Sequence, residues 1–474
     1  MMRSSLIVFL WLSLGFLIVF AGYTPFNDTG GVFVPVWTVG IEINAQFLER
    51  ETTSTTVVLS SASISATSAT SVTPTSTELI DPFLEKVEIP ASEVVSRIWD
   101  SLKNMKPDYV ELWPFSSAMQ TFNFSISVRT TESWVIGEIR YEGPATPVSV
   151  TTGVSWRDFQ TSRGRRIFYE SIAGIVWERV AAEKFVSGDF ANPFRLTYSP
   201  SLDEYPSFDP TGRYLAFISD RIGGNRNIHV WDFLERRIMN FPVYGSSEYF
   251  PKFSPDGEKI LFQGTMYGQW DLFVMPFAKN YAMGIRLITR NLPNAYTPCW
   301  YDEKSVLAAV DEGNGADIYS INVYTGEAKN LTKTPGIYEM YPCRVATENS
   351  FIFVKLKADG SYGIFENSVS ESTETIQPFL DGPFNEFDPY ISKSGRFLAY
   401  TANSDPHSPT YRVWIKDLVT GEATSVSQSL PYDCYYPAVS PDDRYIVFAA
   451  YYPDGEPDLW VVKNPFFTQE AVPP

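Results

Sequence analysis

Four carboxylates stand at one fixed distance from a recurring proline. Asp203, Glu248, Glu339 and Glu386 each lie three residues before the head of a repeated motif, and Ala295 and Cys434 hold that place in the two other copies. Carboxylates gathered at one mouth of a channel focus a negative potential, which draws a cation or a basic loop of a partner. A pair of them roughly 5 to 9.5 Å apart could instead work as acid and base on a glycoside. One residue further on, Tyr249, Tyr296, Phe387 and Tyr435 add aromatic rings, a type favoured in protein interfaces and equally at home in a core. These eight residues are the candidate partner-binding set. The competing reading is that the acids cap turns or face solvent and the rings are packing.

Other chemistry is thinly supplied. The chain has two histidines, His229 inside the apolar run "NIHVWD" and His407 in "NSDPHSPTY". Neighbours such as Ser404, Asp405 and Ser408 do not make a triad by adjacency, and no G-x-S-x-G elbow is present. Two histidines are too few for a histidine metal cluster, and "SDRIGGNRN" lacks the phosphate-loop pattern and reads as a hairpin loop. Cys299, Cys343 and Cys434 include no C-x-x-C pair. Cys299 and Cys343 follow the motif proline in consecutive repeats; neighbouring inner strands fan apart, so packed thiols are expected rather than a disulfide. No catalytic residue, cofactor or metal is assigned, and a binding protein is expected rather than an enzyme.

The elements that position these residues are repeats. The motif reads "PSFDPTGRYLAF" at 206, "PKFSPDGEKILF" at 251, "PCWYDEKSVLAA" at 298, "PCRVATENSFIF" at 342, "PYISKSGRFLAY" at 389 and "PAVSPDDRYIVF" at 437. The steps are 45, 47, 44, 47 and 48 residues. A period of about 40–50 residues built from short strands is that of a β-propeller blade. Proline at the head needs no ladder donor, the Asp-Gly or Ser-Gly pair makes a hairpin turn, and "YLAF" or "YIVF" is a buried strand. Third strands follow at "NIHVWD", "DLFVMP", "DIYSIN", "YRVWIKD" and "DLWVVK", with "SYGIFEN" a weaker match. Fourth strands occur in five repeats, and the sixth runs into "NPFFTQEAVPP" without one. "PFRLT" at 193–197 precedes the first motif and matches "IRLIT", so it is expected to complete the last blade and close the ring.

Upstream the texture changes. After Arg3 the chain is almost wholly apolar from Leu6 to Ala21, which reads as a signal peptide or, if uncleaved, a membrane anchor over 1–21. Residues 22–50 contain a strand, 51–80 a Ser/Thr-rich low-complexity linker, with a glycosylated stalk as the alternative, and 81–185 a small α/β domain. In that domain "PASEVVSRIWDSLKNM" and "RRIFYESIAGIVWERVAAE" are helices and "FNFSISV", "SWVIGEIRY" and "VSVTTGVSW" strands; the propeller takes 186–474. The fold class is therefore mostly β, a six-bladed β-propeller preceded by a small α/β domain. The net charge of −18, with 37 basic against 55 acidic residues, excludes nucleic acid as a partner class and disfavours anionic membrane surfaces.

The repeats "EYFPKFSPDGEKILF", "GADIYSIN" and "AKNLT", together with the order export signal, small α/β domain and six blades, resemble the TolB family of exported Tol-system proteins. The resemblance covers about 280 residues. It implies an extracytoplasmic scaffold in the periplasm or cell envelope, with an envelope protein such as a peptidoglycan-associated lipoprotein docking over the propeller mouth. The alternative from a different class is a carbohydrate-active hydrolase or lyase that uses the acidic and aromatic channel residues.

Overall fold

In the computed structural model, the described residues are 37–46, 48–50, 57–59, 89–114, 122–131, 133–142 and 148–467, less 223, 244, 279–280, 346–348, 370–375, 381, 383–384, 406–407 and 454. The candidate signal at 1–21 and His407 lie outside them, as does nearly all of the Ser/Thr-rich stretch. The chain divides into two compact units, residues to Trp177 and residues from Glu178.

The first unit is a five-stranded sheet, in the order Val110–Pro114, Trp37–Gln46, Phe122–Thr130, Trp134–Glu142, Val148–Ser155. Trp37–Gln46 runs parallel to both neighbours, and the last three strands form an antiparallel meander. The strand expected over 22–50 is Trp37–Gln46 and belongs to the α/β sheet itself. Alternation decides the faces: Phe122, Phe124, Ile126 and Val128 are buried along one strand. Helix α1 (Ala91–Asn104) buries Val94, Ile98 and Leu102, four residues apart, behind an extended Pro90. A short α2 (Trp156–Phe159) precedes the long α3 (Ser162–Ser187). A Cβ added at Gly137 would come within 2.9 Å of Ile172 Cδ1, so α3 lies hard against the sheet at that point. Trp177 Nε1 donates to the Leu102 carbonyl at 3.1 Å, joining α3 to α1.

The second unit is six four-stranded antiparallel sheets. Their first strands are Asp203–Phe208, Glu248–Phe253, Ala295–Trp300, Glu339–Arg344, Glu386–Ile391 and Asp433–Val439. Each first strand touches that of the next sheet, and the sixth touches the first, so these are the inner strands of a closed ring of six blades. Second strands such as Tyr214–Ser219 and Tyr445–Tyr451 are almost wholly buried because neighbouring blades cover both of their faces.

Local hydrogen bonds explain the recurring letters. The residue that opens each turn accepts from the amide five positions on: Tyr214 N to Asp209 at 2.7 Å, Lys259 N to Ser254 at 2.9 Å, Phe397 N to Ser392 at 3.1 Å and Tyr445 N to Ser440 at 2.9 Å. The hydroxyl that ends a fourth strand accepts from the third strand: Leu459 N to Thr197, Leu272 N to Thr289, Ile318 N to Thr332 and Val413 N to Ser427, all between 2.9 and 3.0 Å. Thr289 in turn donates to Asp271 at 2.8 Å, which ties the "DLF" and "LIT" motifs into one device.

The closing strand is where the sequence places it. Phe194–Arg195 pairs with Asp458–Lys463 to complete the sixth blade. Arg195 Nη2 lies 2.6 Å from Asp458 Oδ2, whose side chain is 2% exposed. Removing the guanidinium strands a buried carboxylate, a change that costs on the order of 2 kcal/mol or more. We therefore expect Arg195→Ala to lower the urea midpoint clearly, and a second change, Asp458→Asn, to restore part of the loss. An unchanged midpoint in Arg195→Ala would show that the clasp does not hold the ring.

Candidate functional site: the axial cavity

Every inner strand carries the same irregularity. Between the residue two before the motif proline and the residue after it the ladder register shifts, so that two residues oppose one on the second strand. The two extra residues are the proline, which has no amide hydrogen to satisfy, and the residue before it. That preceding residue is left-handed in all six blades: Tyr205 (φ 56°), Phe250 (51°), Thr297 (46°), Tyr341 (52°), Asp388 (50°) and Tyr436 (57°). Residues before proline ordinarily prefer extended backbone, and a β-branched residue such as Thr297 is rarely left-handed at all. Each such residue costs on the order of 1 kcal/mol or more, so the strain is held by the ring around it.

The conformation turns these six side chains onto the propeller axis. All six line one solvent-open cavity of ≈ 50 Å³, together with Lys252, Tyr390 and four of the motif prolines. The rings crowd one another: Tyr205 lies 4.2 Å from Phe250 and 4.3 Å from Tyr436, and Phe250 lies 5.9 Å from Tyr341, centre to centre. Polar members bridge to the following blade, Tyr341 N donating to Thr297 Oγ1 at 3.0 Å and Tyr436 N to Asp388 Oδ2 at 3.3 Å. Sequence reasoning missed this ring, although its signal was present: it is the position directly before the proline by which the repeats were aligned.

The four carboxylates three places before proline are elsewhere. Asp203, Glu248 and Glu339 are 0% exposed and Glu386 3%, so they do not present charge at a channel mouth. Asp203 is bidentate to Arg221 Nη2 at 3.0 and 2.9 Å, and the same guanidinium reaches Glu178 at 3.1 Å. Glu339 accepts from the Thr334 hydroxyl at 2.8 Å and Glu386 from the Gly382 amide at 3.0 Å. Glu248 makes no hydrogen bond of ordinary geometry among the described residues, and the Ser246 hydroxyl is the one group that acts on its carboxyl. Burial pushes the Glu248 carboxyl up to about 8, with the Ser246 hydroxyl pulling it back in part, and burial pushes Glu339 up to about 7.

The aromatic set fares differently. Tyr249, Tyr296, Phe387 and Tyr435 are half-buried, and three of them meet rings that the repeat did not single out. Tyr249 packs edge-on to Trp270 at 5.1 Å and under Arg226 at 5.0 Å; Phe387 meets Tyr362 at 4.8 Å; Tyr435 meets Tyr411 at 5.4 Å and Tyr451 at 5.3 Å. Trp270 immediately precedes the third strand Asp271–Pro276, Tyr362 opens Tyr362–Ser368, and Tyr411 lies within Ser408–Asp417. Tyr296 packs toward the apolar cluster around Phe351 and Phe353.

Among the remaining candidates, His229 is a packed strand residue. It is 1% exposed, and burial depresses its imidazole to about 3, so it is neutral. The three cysteines are free thiols. Burial pushes Cys299 and Cys343 upward, which keeps both protonated.

No protein-family model matches the sequence. An uncharacterized protein of Agrobacterium fabrum is 22% identical over 268 residues, 54% of this chain and 87% of its own. Among solved structures the chain is similar to a putative TolB from Agrobacterium tumefaciens, with TM-score 0.44 and 19% identity over 58% of this chain and 97% of that one. It is also similar to TolB from Acinetobacter baumannii, with TM-score 0.44 and 14% identity over 78% and 90%. An oligogalacturonate lyase in complex with manganese gives TM-score 0.40 and 12% identity over 58% and 93%. These are likenesses of fold at low identity.

The buried acids make stability depend on pH in a definite sense. In the unfolded chain Glu248 loses its proton near 4.5, whereas in the folded chain it keeps it to about 8. The folded state therefore binds more protons across that window, and stability falls as pH rises through it, by on the order of a few kcal/mol, then levels off. Glu248→Gln stays neutral. Its unfolding free energy should gain on the wild type steadily from pH 5 to pH 8.5 in urea titrations; parallel curves would mean that Glu248 ionises normally in the fold.

Proposed function

We propose that the propeller is a protein-docking scaffold of the cell envelope, which holds its partner against the aromatic rim at the cavity end of the inner strands. The observation that carries this reading is the set of half-exposed rings contributed by several blades, Tyr249 and Trp270, Phe387 and Tyr362, Tyr435 and Tyr411. Such rings supply large, stiff contact area at low entropy cost and are the usual anchors of protein interfaces. The net charge of −18 favours a partner that brings basic and aliphatic side chains to them. Export rests on the apolar run from Leu6 to Ala21, and the repeat resemblance makes a peptidoglycan-associated lipoprotein the partner to try first.

The rival reading is a carbohydrate-active hydrolase or lyase. The aromatic rim and Asp388, whose carboxyl burial pushes up to about 7, favour it. Glycoside hydrolysis in its two-carboxylate form needs a second acid facing the first, and Asp388 is the one carboxylate among the cavity's lining residues.

The test is a binding titration between the purified protein and the extracytoplasmic portion of the peptidoglycan-associated lipoprotein from the same organism. Tyr249→Ala combined with Tyr435→Ala should weaken binding by about 30-fold, as loss of roughly 2 kcal/mol of anchor contact requires. No binding by the wild type, or equal binding by the folded double variant, would overturn the proposal.

A further inference from the structure

A carboxyl and an amine share the axial cavity, Asp388, which burial pushes up to about 7, and Lys252, which burial pushes down, and among the described residues neither forms a salt bridge. Asp388, in the left-handed ring, is 8% exposed. Its Oδ2 accepts the Tyr436 amide and the Thr401 hydroxyl pulls on the carboxyl, while Oδ1 makes no hydrogen bond of ordinary geometry among the described residues. Lys252 follows the motif proline of the second blade and lines the same cavity. Among the described residues it forms no salt bridge, and none joins it to Asp388. The thiols beside it, Cys299 and Cys343, stay protonated and offer no counter-charge.

An unpaired buried carboxylate and an unpaired ammonium are each costly alone, and each is relieved by an opposite charge at hydrogen-bond distance. Both line the same small cavity, walled by Tyr205, Phe250, Tyr341 and Tyr436. Aromatic faces beside a carboxylate suit an ammonium group, through cation–π attraction as well as the ion pair. Lys252 suits a carboxylate or similar anion at the other end.

From this arrangement we propose that the axial cavity is a binding site for a small zwitterion, an amino acid whose ammonium pairs with Asp388 and whose carboxylate pairs with Lys252. The site goes beyond protein docking on the rim and does not depend on it: Tyr249 and Tyr435 are not among the residues that line the cavity.

Calorimetric titration of the full-length protein with glycine, β-alanine and γ-aminobutyrate tests it, with propylamine and propionate as probes carrying one charge each. At least one zwitterion should bind with Kd of about 1 mM or tighter, and both single-charge probes at least about tenfold more weakly. Asp388→Asn and Lys252→Met should each weaken the zwitterion by about tenfold or more. No heat from any zwitterion up to about 20 mM, equal binding of a single-charge probe, or undiminished binding by either variant would overturn the site. If a variant fails to fold, the probe series on the wild type still decides.

Discussion

A four-stranded blade of this chain has two apolar faces and cannot bury either by itself, so each blade's stability is the property of its neighbours. Ala216, Ile218, Ile260 and Phe262 are fully buried in one cluster shared by the first two blades. That requirement fixes the ring, and the ring fixes the rest. It holds the six inner strands at one radius, it supplies the amides and side chains that keep six residues left-handed, and it gathers onto one axis groups that are some 45 residues apart in the chain. The axial cavity is therefore a product of closure and not of any one blade.

The same logic accounts for where the polar groups go. Outside the axis, charges are paired locally: Arg213 with Asp232 at 2.7 Å and Arg396 with Asp417 at 2.8 Å fasten second to third strands in two different blades. Arg221 gathers Asp203 and Glu178. Glu248 and Glu339 sit between blades with poorer partners and hold their protons. Asp388 and Lys252 differ from all of these because the space in front of them is open.

Much of this was legible in the letters. The period, the proline heads, the turn pairs and the matching "PFRLT" and "IRLIT" segments gave six blades and their closing strand, because each letter there answers a local hydrogen-bonding need. The site was not legible in the same way. Position in the repeat alone places the residue three before proline at the channel mouth. The left-handed bulge instead turns the residue directly before proline into the axial cavity. Glycine would have announced a left-handed position, but here it is filled by Tyr, Phe, Thr and Asp, whose backbone state depends on contacts with the next blade. The strand at Trp37–Gln46 was visible as a strand, yet its place inside the α/β sheet depends on parallel partners more than 60 residues on, which no local pattern encodes.

The closing strand carries a consequence for how the protein is made. Thr197 and Asp458 are 261 residues apart, and their blade is incomplete until both are present. A ribosome or export channel releases the chain in order, so the first strand of the ring must wait, exposed, for the last. The five intervening blades can stack meanwhile, leaving two unsatisfied sheet faces at a gap one blade wide. Loop closure over such a span is entropically slow to begin but adds little extra cost with length. Completing the ring therefore requires two distant segments of one domain to meet, and until they do the outer edge of Asp458–Lys463 has no strand to pair with.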